Sequence, residues 1–360
     1  MDKELIKELN LSLKLIIDSE IKERKKGGYG DWEGRSFSEL DRLIDSDGKL
    51  IESKLENFIW EGIFVSDQPS SLIKGVTYNN KFFKFLLRIL MFLTGAKRGG
   101  INEARDTFNE IKKKNMLPLL KKYPMSNVGQ PFKIRHAGFT FTNRYLRHIY
   151  FYSFFNTHLR SLLKEDSIVL DIGSSYGLFQ MFVKKEMPRS HNILVDLPGQ
   201  LILAHYYLSK EFPTAKIASI VTVNDASVLD ENFIRKYDFI LISTTMYEKL
   251  DTDAIDVVTN FVSLSEMSKK WFDVYSNSIA FKTAKYFYTV NRYDSFPTYS
   301  NGITVFDFPL HNYKKIIFNT IPILKNYYLS RALFLTKNTR YPSELFQFIG
   351  ENKDFIKNKE

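Results

Sequence analysis

The sequence predicts an α/β protein in which an open, mostly parallel sheet with helices on both faces follows a mainly helical N-terminal domain. Three observations predict it. From residue 167 onward, short apolar runs rich in β-branched residues alternate with helix-like segments, the pattern of parallel strands joined by crossover helices. The first run, Ser167-Ile-Val-Leu-Asp171, opens directly into a turn flanked by Gly173 and Gly177, which allow a tight bend and close approach of a ligand. At the other end of the chain, Leu5, Leu9, Leu13 and Ile16 recur at helical spacing.

Further helices are expected over 38–58, 79–94 and 102–122, with Trp32 and Trp60 anchoring their packing and Gly27-Gly28 and Gly99-Gly100 marking loops. The run 82–93 is strongly apolar, yet Lys84 and Arg88 interrupt it, and no uncharged stretch reaches the roughly 18 residues of a transmembrane helix. It reads as a buried or oligomer-forming helix, with peripheral membrane contact as the alternative. Residues 126–160 form a transition whose aromatic helix, 145–163, is expected to cover the first strand. A helical cap or oligomerisation domain thus occupies 1–125, the sheet domain 126–350, and a frayed tail 351–360.

Within the sheet domain, 168–170 reads as a buried parallel strand followed by a helix over 177–187. Asn192-Ile-Leu-Val-Asp196 is a second apolar run ending in an acid, and Pro198 sits near the first turn of a helix over 199–212. Third, fourth and fifth strands are expected over 215–222, 237–243 and 280–290, with a helix over 252–275 between the last two. The aromatic and β-branched content of 302–308 and 329–336 suggests closing strands.

Asp196 lies 19 residues beyond Gly177, about where a carboxylate reaches a bound ribose, so Asp171 and Asp196 flank one nucleoside-sized site. A glycine-flanked turn alone also suits an ordinary βα loop. A dinucleotide fingerprint would need glycine at 175 for the pyrophosphate, and Ser175 stands there, which disfavours a nicotinamide-dependent oxidoreductase.

The pattern Asp171-x-Gly173-x-Ser175-x-Gly177 resembles motif I of the Rossmann-like, class I S-adenosylmethionine (SAM) methyltransferases, with Ser175 in place of the middle glycine. The resemblance implies that Asp171 helps hold the methionine-side polar groups. It lays Gly173, Ser174, Ser175, Tyr176 and Gly177 along the donor and sets Asp196 and Leu197 at its ribose. It also implies an adenine contact at Asp225-Ala226 and places Ser243, at the end of the fourth strand, near the transferred methyl.

A narrower resemblance is to the bacterial sugar O-methyltransferases found with surface-polysaccharide genes. It is carried by Gly129-Gln-Pro131, Thr142-Asn-Arg-Tyr-Leu-Arg-His-Ile-Tyr150, the motif-I turn, and Val195-Asp-Leu-Pro198 with His205-Tyr-Tyr-Leu208. Ser243-x-x-Met-Tyr-Glu248 and Tyr286-Phe-Tyr-Thr-Val-Asn-Arg292 complete it, over about residues 125–315. It implies a sugar or glycan acceptor and makes Asn291 and Arg292 an acceptor-binding pair, a surface salt bridge being the plain alternative.

Composition agrees with an enzyme-sized chain: 360 residues with 44% hydrophobic content can bury a large core. The absence of cysteine excludes disulfides, thiolate metal sites and cysteine nucleophiles, and fits a reducing, cytoplasmic setting. Acids at Asp2 and Glu4 do not suit a secretory signal. The net charge of +10 is spread along the chain rather than concentrated in a basic stripe, so nucleic acid is not the expected partner and RNA methylation is a minor alternative. The basic excess suits anionic glycans, nucleotide-linked sugars or an inner membrane leaflet.

A sugar hydroxyl is a poor nucleophile while protonated, so O-methylation needs a general base, alone or beside a divalent cation. Glu248, His148 and His136 are the candidates, with a solvated helix-start glutamate as the alternative for Glu248. No local H-E-x-x-H or H-x-H pattern marks a metal site, though ligands from distant carboxylates stay open.

Overall fold

The computed structural model describes residues 3–25, 43–56, 96–129, 133–294, 302–323 and 344–357. The apolar run 82–93, Trp32, Trp60, Pro131 and the expected closing strand at 329–336 lie outside them. In chain order the elements begin with α1 (Lys3–Lys25), α2 (Glu52–Leu55), α3 (Ala96–Lys113), α4 (Leu117–Lys122), β1 (Ile134–His136), β2 (Phe139–Phe141) and α5 (Asn143–His158). Next come β3 (Ile168–Ile172), α6 (Leu178–Glu186), β4 (His191–Asp196), α7 (Pro198–Glu211), β5 (Ile217–Ala218), α8 (Ile220–Asp225), α9 (Glu231–Ile234) and β6 (Phe239–Ser243). The rest are β7 (Val257–Phe261), α10 (Lys269–Asn277), α11 (Ile279–Thr283), β8 (Tyr286–Arg292), β9 (Tyr313–Thr320), β10 (Leu345–Asn352) and α12 (Lys353–Lys357).

Contacts divide the chain into two units, one of residues 1–55, 154–321 and 343–360 and the other of 56–153 and 322–342. The first holds an eight-stranded sheet in the order β5-β6-β4-β3-β7-β8-β10-β9. Pairing is parallel from β5 to β8, and β10 runs antiparallel between β8 and β9. Every residue of β3, β6 and β8 is buried, as strands covered on both faces require. The expected α/β class and mainly parallel sheet are therefore present. α1 belongs to this unit and not to a separate N-terminal domain: it packs on α7 and α8, and its Leu9, Leu13 and Ile16 are at most 1% exposed.

Several elements differ from expectation for identifiable reasons. The third strand shrinks to two residues because the Ser219 Oγ accepts from the Thr222 amide and caps α8, overriding the β-branched content of 220–223. The segment ending at Ser243 forms β6, a strand as expected, and pairs with β4; the place beside β3 belongs to β7, inside the stretch expected to be helical. A short buried apolar run has no periodicity that separates strand from helix, and the β-branched pair Val257-Val258 favours the strand. The expected 102–122 helix is two helices, broken where Asn115 takes a left-handed φ of 58° and Pro118 starts α4. Residues 305–307 form a 3-10 turn with a Thr304/Asp307 capping box, so the closing antiparallel pair is β9 and β10. The tail expected to fray carries α12.

At the N-terminal edge of the sheet, Asp256 fastens β3 to β7 and β8. Its Oδ2 accepts from the Ile168 amide at 2.8 Å and its Oδ1 pairs with Lys285 at 2.6 Å. Asp256→Ala is expected to lower stability by about 2 kcal/mol, since a charge-assisted bond is lost and a buried amide is left unsatisfied. Urea denaturation measures it, with Glu231→Ala, which breaks only the exposed pair to Arg235, changing stability by less than ~0.5 kcal/mol as the control.

Candidate functional site

The connections from β3 lead to opposite sides, through α6 to β4 and later across to β7, so the switch point of the sheet lies between β3 and β7. Residues at the C-terminal ends of β3, β4, β6, β7 and β8 therefore converge there. The turn after β3 is fixed first by backbone bonds: the Gly173 and Ser174 amides donate to the Val195 carbonyl at 2.7 and 3.2 Å. The Ser175 amide then donates to Asp196 Oδ2 at 2.5 Å, while the Leu197 amide donates to Asp196 Oδ1 at 2.6 Å. Gly173, Ser174, Ser175, Asp196 and Leu197 are thus brought together at the C-terminal ends of β3 and β4.

Ser175 occupies the left-handed region at φ 52°, where glycine is free and a side chain costs about 1 kcal/mol. Its hydroxyl donates to Gln200 Oε1 at 3.2 Å. Tyr176 turns inward, its ring edge-on to Tyr207 at 5.1 Å, and Gly177 caps α6 in left-handed conformation. Ser243 pairs in register with Asp196, and Thr244 donates from its hydroxyl to the Asp196 carbonyl at 3.3 Å. Behind them lies Tyr275, hydrogen-bonded to Thr244, with its hydroxyl pushed far up by burial. Asp225 is exposed at the end of α8, where Lys249 Nζ caps the carbonyls of Asn224 and Ala226 at 2.5 and 2.9 Å.

Asp171 is buried rather than open to a ligand. Its Oδ1 accepts from the Thr259 hydroxyl at 2.6 Å and its Oδ2 from Gln180 Nε2 at 2.5 Å, joining β3 to β7 and α6. Burial pushes its carboxyl up to about 7, the Asp196 charge adds to the rise, and the Thr259 and Gln180 bonds oppose it. Gln180 Oε1 is buried without a partner. A protonated Asp171 with the Gln180 amide rotated by half a turn would donate to that oxygen, so the orphan fits an acid that holds its proton up toward neutral pH.

The residues that sequence reasoning missed follow β7. Asn260 Nδ2 donates to the Ile172 carbonyl and to Ser263 Oγ, both at 2.5 Å, and Ser263 Oγ reaches the same carbonyl at 3.0 Å. Between them Val262 holds φ 70°, an uncommon backbone state for a β-branched residue. Asn291, expected to bind acceptor, donates to Asn260 Oδ1 and Thr289 Oγ1 at 2.6 Å and accepts from the Ser265 amide at 3.1 Å. Arg292 pairs with Glu266 at 2.5 Å. Asn291 is 0% and Arg292 3% exposed, so both brace the loop after β7 where the sequence had suggested an open binding pair. The signal available was shared by β3, β4, β7 and β8: an apolar run ending in a polar side chain.

Of the expected general bases, Glu248 is exposed on the turn after β6, beside Tyr247, whose hydroxyl lies 2.8 Å from Ser278 Oγ. His148 and His136 belong to the second unit. In α5 the His148 Nδ1 faces the Arg144 carbonyl at 2.8 Å, and burial lowers its pKa to about 3, with the Arg144 and Arg147 charges adding to the fall. Its ring is neutral at physiological pH and a weak proton acceptor. His136 packs edge-on against Phe108 at 5.1 Å. No group of three metal-ligating side chains occurs among the described residues, and no described helix is long and apolar enough to cross a membrane.

No family model matches the chain, and no curated protein matches it. Among solved structures, a Thermoplasma acidophilum protein is similar at 12% identity over 58% of this chain and 90% of that one, with a TM-score of 0.37. A precorrin-6y C5,15-methyltransferase from Geobacter metallireducens is similar at 14% identity over 56% of this chain and 87% of that one, with a TM-score of 0.33. TrmK from M. capricolum, solved with S-adenosyl-homocysteine, is similar at 11% identity over 54% of this chain and 65% of that one, with a TM-score of 0.31. Likenesses of this size carry neither cofactor nor substrate from those proteins to this one.

Two outcomes follow from the geometry. A Cβ at residue 173 would overlap Ser263 Oγ and Cβ, and the backbone there has φ 78°. Gly173→Ala is therefore expected to destabilise by about 2 kcal/mol or more, and Ser263→Gly in the same chain to restore only the part due to overlap, as thermal unfolding of both variants would report. Asp171, with a folded pKa above the roughly 3.9 of an unfolded aspartate, binds its proton more tightly when folded. Its contribution is least unfavourable at acid pH and worsens as pH rises through the window from ~4 to ~7. Urea midpoints should show wild type losing about 2–3 kcal/mol relative to Asp171→Asn between pH ~5 and ~8. A pH-independent difference would place the proton elsewhere.

Proposed function

We propose that the chain is a SAM-dependent O-methyltransferase that methylates a sugar hydroxyl in bacterial surface-polysaccharide or glycoconjugate synthesis. The observation that carries the reading is Asp196, half-buried at the end of β4, with one carboxylate oxygen on the Ser175 amide and the other on the Leu197 amide. A carboxylate fixed in this way at the end of β4 suits the bidentate ribose-binding role that the motif-I resemblance implies. Ser174 Oγ, buried and without a protein partner, leaves one more hydrogen-bonding group in the turn for a bound donor. The left-handed Ser175 sets a side chain where a dinucleotide-binding turn needs bare backbone, which supports SAM over NAD.

SAM supplies a sulfonium-activated methyl group when bound. What remains for this chain is to hold the nucleoside, align an acceptor oxygen and remove its proton. Asp196 and the 173–177 turn perform the first task in this reading, and Asn291 and Arg292 support the second indirectly by bracing the loop after β7. Glu248, accessible on the turn that follows Ser243, is the proposed proton acceptor, ahead of the neutral His148 and of His136.

Calorimetry should show SAM or S-adenosylhomocysteine binding to wild type and binding weakened about 10–100-fold in Asp196→Ala, the equivalent of one or two charge-assisted hydrogen bonds. Preferential binding of NAD would contradict the reading. With a glycan acceptor, Glu248→Gln is expected to lower turnover about a hundredfold at unchanged SAM affinity, and turnover at the wild-type rate would remove Glu248 from the proton transfer.

A further inference from the structure

The second unit holds a cleft of about 1090 Å³, roughly the upper end of the range for small-molecule sites. Three cations reach its wall from two segments: Lys121 near the end of α4, and Lys133 and Arg135 just before and within β1. No carboxylate stands among its lining residues, and Lys121 and Arg135 form no ion pair among the described residues. Lys133 Nζ donates to Asn127 Oδ1, which lies on the same wall and holds that ammonium in place. Like charges gathered in a concave, partly apolar wall repel one another and focus a positive field, so the arrangement is relieved by an anion.

The hairpin that carries Arg135 is built to present it. Phe108 meets His136 and Phe141 at 5.1 and 5.3 Å, fixing the inner face. Arg135 and Thr140, paired in register, are both exposed on the outer one. The two-residue turn uses Ala137 and Gly138 at φ 49° and 80°, the tight hairpin geometry, although alanine there costs about 1 kcal/mol. Phe139, half-buried, pairs with His136 on the inner face and packs on Phe108 at 5.7 Å, while Tyr145 is anchored by its hydroxyl on the Tyr123 carbonyl.

We propose that this cleft binds a small organic anion, the three cations taking its phosphate or carboxylate. A nucleic-acid strand would call for successive exposed aromatic platforms, and among the described lining residues Phe139 alone is an aromatic ring that is not buried. The assignment is independent of the SAM reading, because it concerns other residues and a different ligand.

The test is calorimetry on the full-length chain at low ionic strength with glucose 1-phosphate, glucuronate and neutral glucose as probes. The expected result is binding of one or both anionic sugars, with neutral glucose at least about tenfold weaker. Lys121→Glu and Arg135→Glu, both at exposed positions, should each weaken the anionic probe by about tenfold or more. Binding of glucose 1-phosphate alone identifies phosphate as the recognised group, and binding of glucuronate alone identifies carboxylate. The proposal is overturned if no probe binds, if glucose binds as tightly, or if both charge reversals leave affinity intact in folded protein. It is also overturned if a single-stranded oligonucleotide displaces the sugar at lower concentration through the same residues. SAM binding measured on the same samples separates this outcome from that of the crevice.

Discussion

A buried carboxylate holds the C-terminal end of the sheet together. Asp171 ties β3 to β7 through Thr259 and to α6 through Gln180, with all three side chains at most 2% exposed. Such a group is costly to bury as an anion, and its raised pKa shows the cost being relieved by keeping the proton. Because the clasp draws β3 against β7, the Ile172 carbonyl falls within reach of Asn260 and Ser263, and the Gly173 turn is pressed so close to Ser263 that a side chain has no room. Asp171, the acid that the motif resemblance sets against the donor, is thus buried and bonded to Thr259 and Gln180.

The exposed half of the crevice rests on that buried half. With the turn after β3 fixed, its Ser175 amide meets Asp196, and β6 comes alongside in register so that Thr244 bonds the Asp196 carbonyl. On the other side, Asn291 bridges Asn260, Thr289 and the Ser265 amide, while Arg292 and Glu266 lock the same loop. A network this buried is stable only when its members are satisfied, so it fixes one conformation of the loop, including the strained Val262.

Much of this was legible in the sequence where the signal is local. The strands ending at Asp171 and Asp196, the glycine turn between them and the helix after Pro198 all stand where the residues suggested. Strand order was not legible, because β6 and β7 are equally apolar and nothing local states which of them lies beside β3. That one ambiguity hid Thr259, Asn260 and Ser263, which lie on or after the strand beside β3. The burial of Asn291 and Arg292 was not legible for a related reason: a polar pair at a strand end looks the same in sequence whether it faces solvent or braces a neighbouring loop. The cap that converts 220–225 to helix was readable in Ser219 but was outweighed by the β-branched run after it.

The central claim is that Asp196 and the 173–177 turn form one half of a nucleoside site. A crystal structure of the protein soaked with S-adenosylhomocysteine tests it most directly. The account predicts density along the 173–177 turn with both ribose hydroxyls on the Asp196 carboxylate and the Asp171 clasp unchanged. A ligand bound away from Asp196, or a dinucleotide selected over it in the same crevice, would contradict the account.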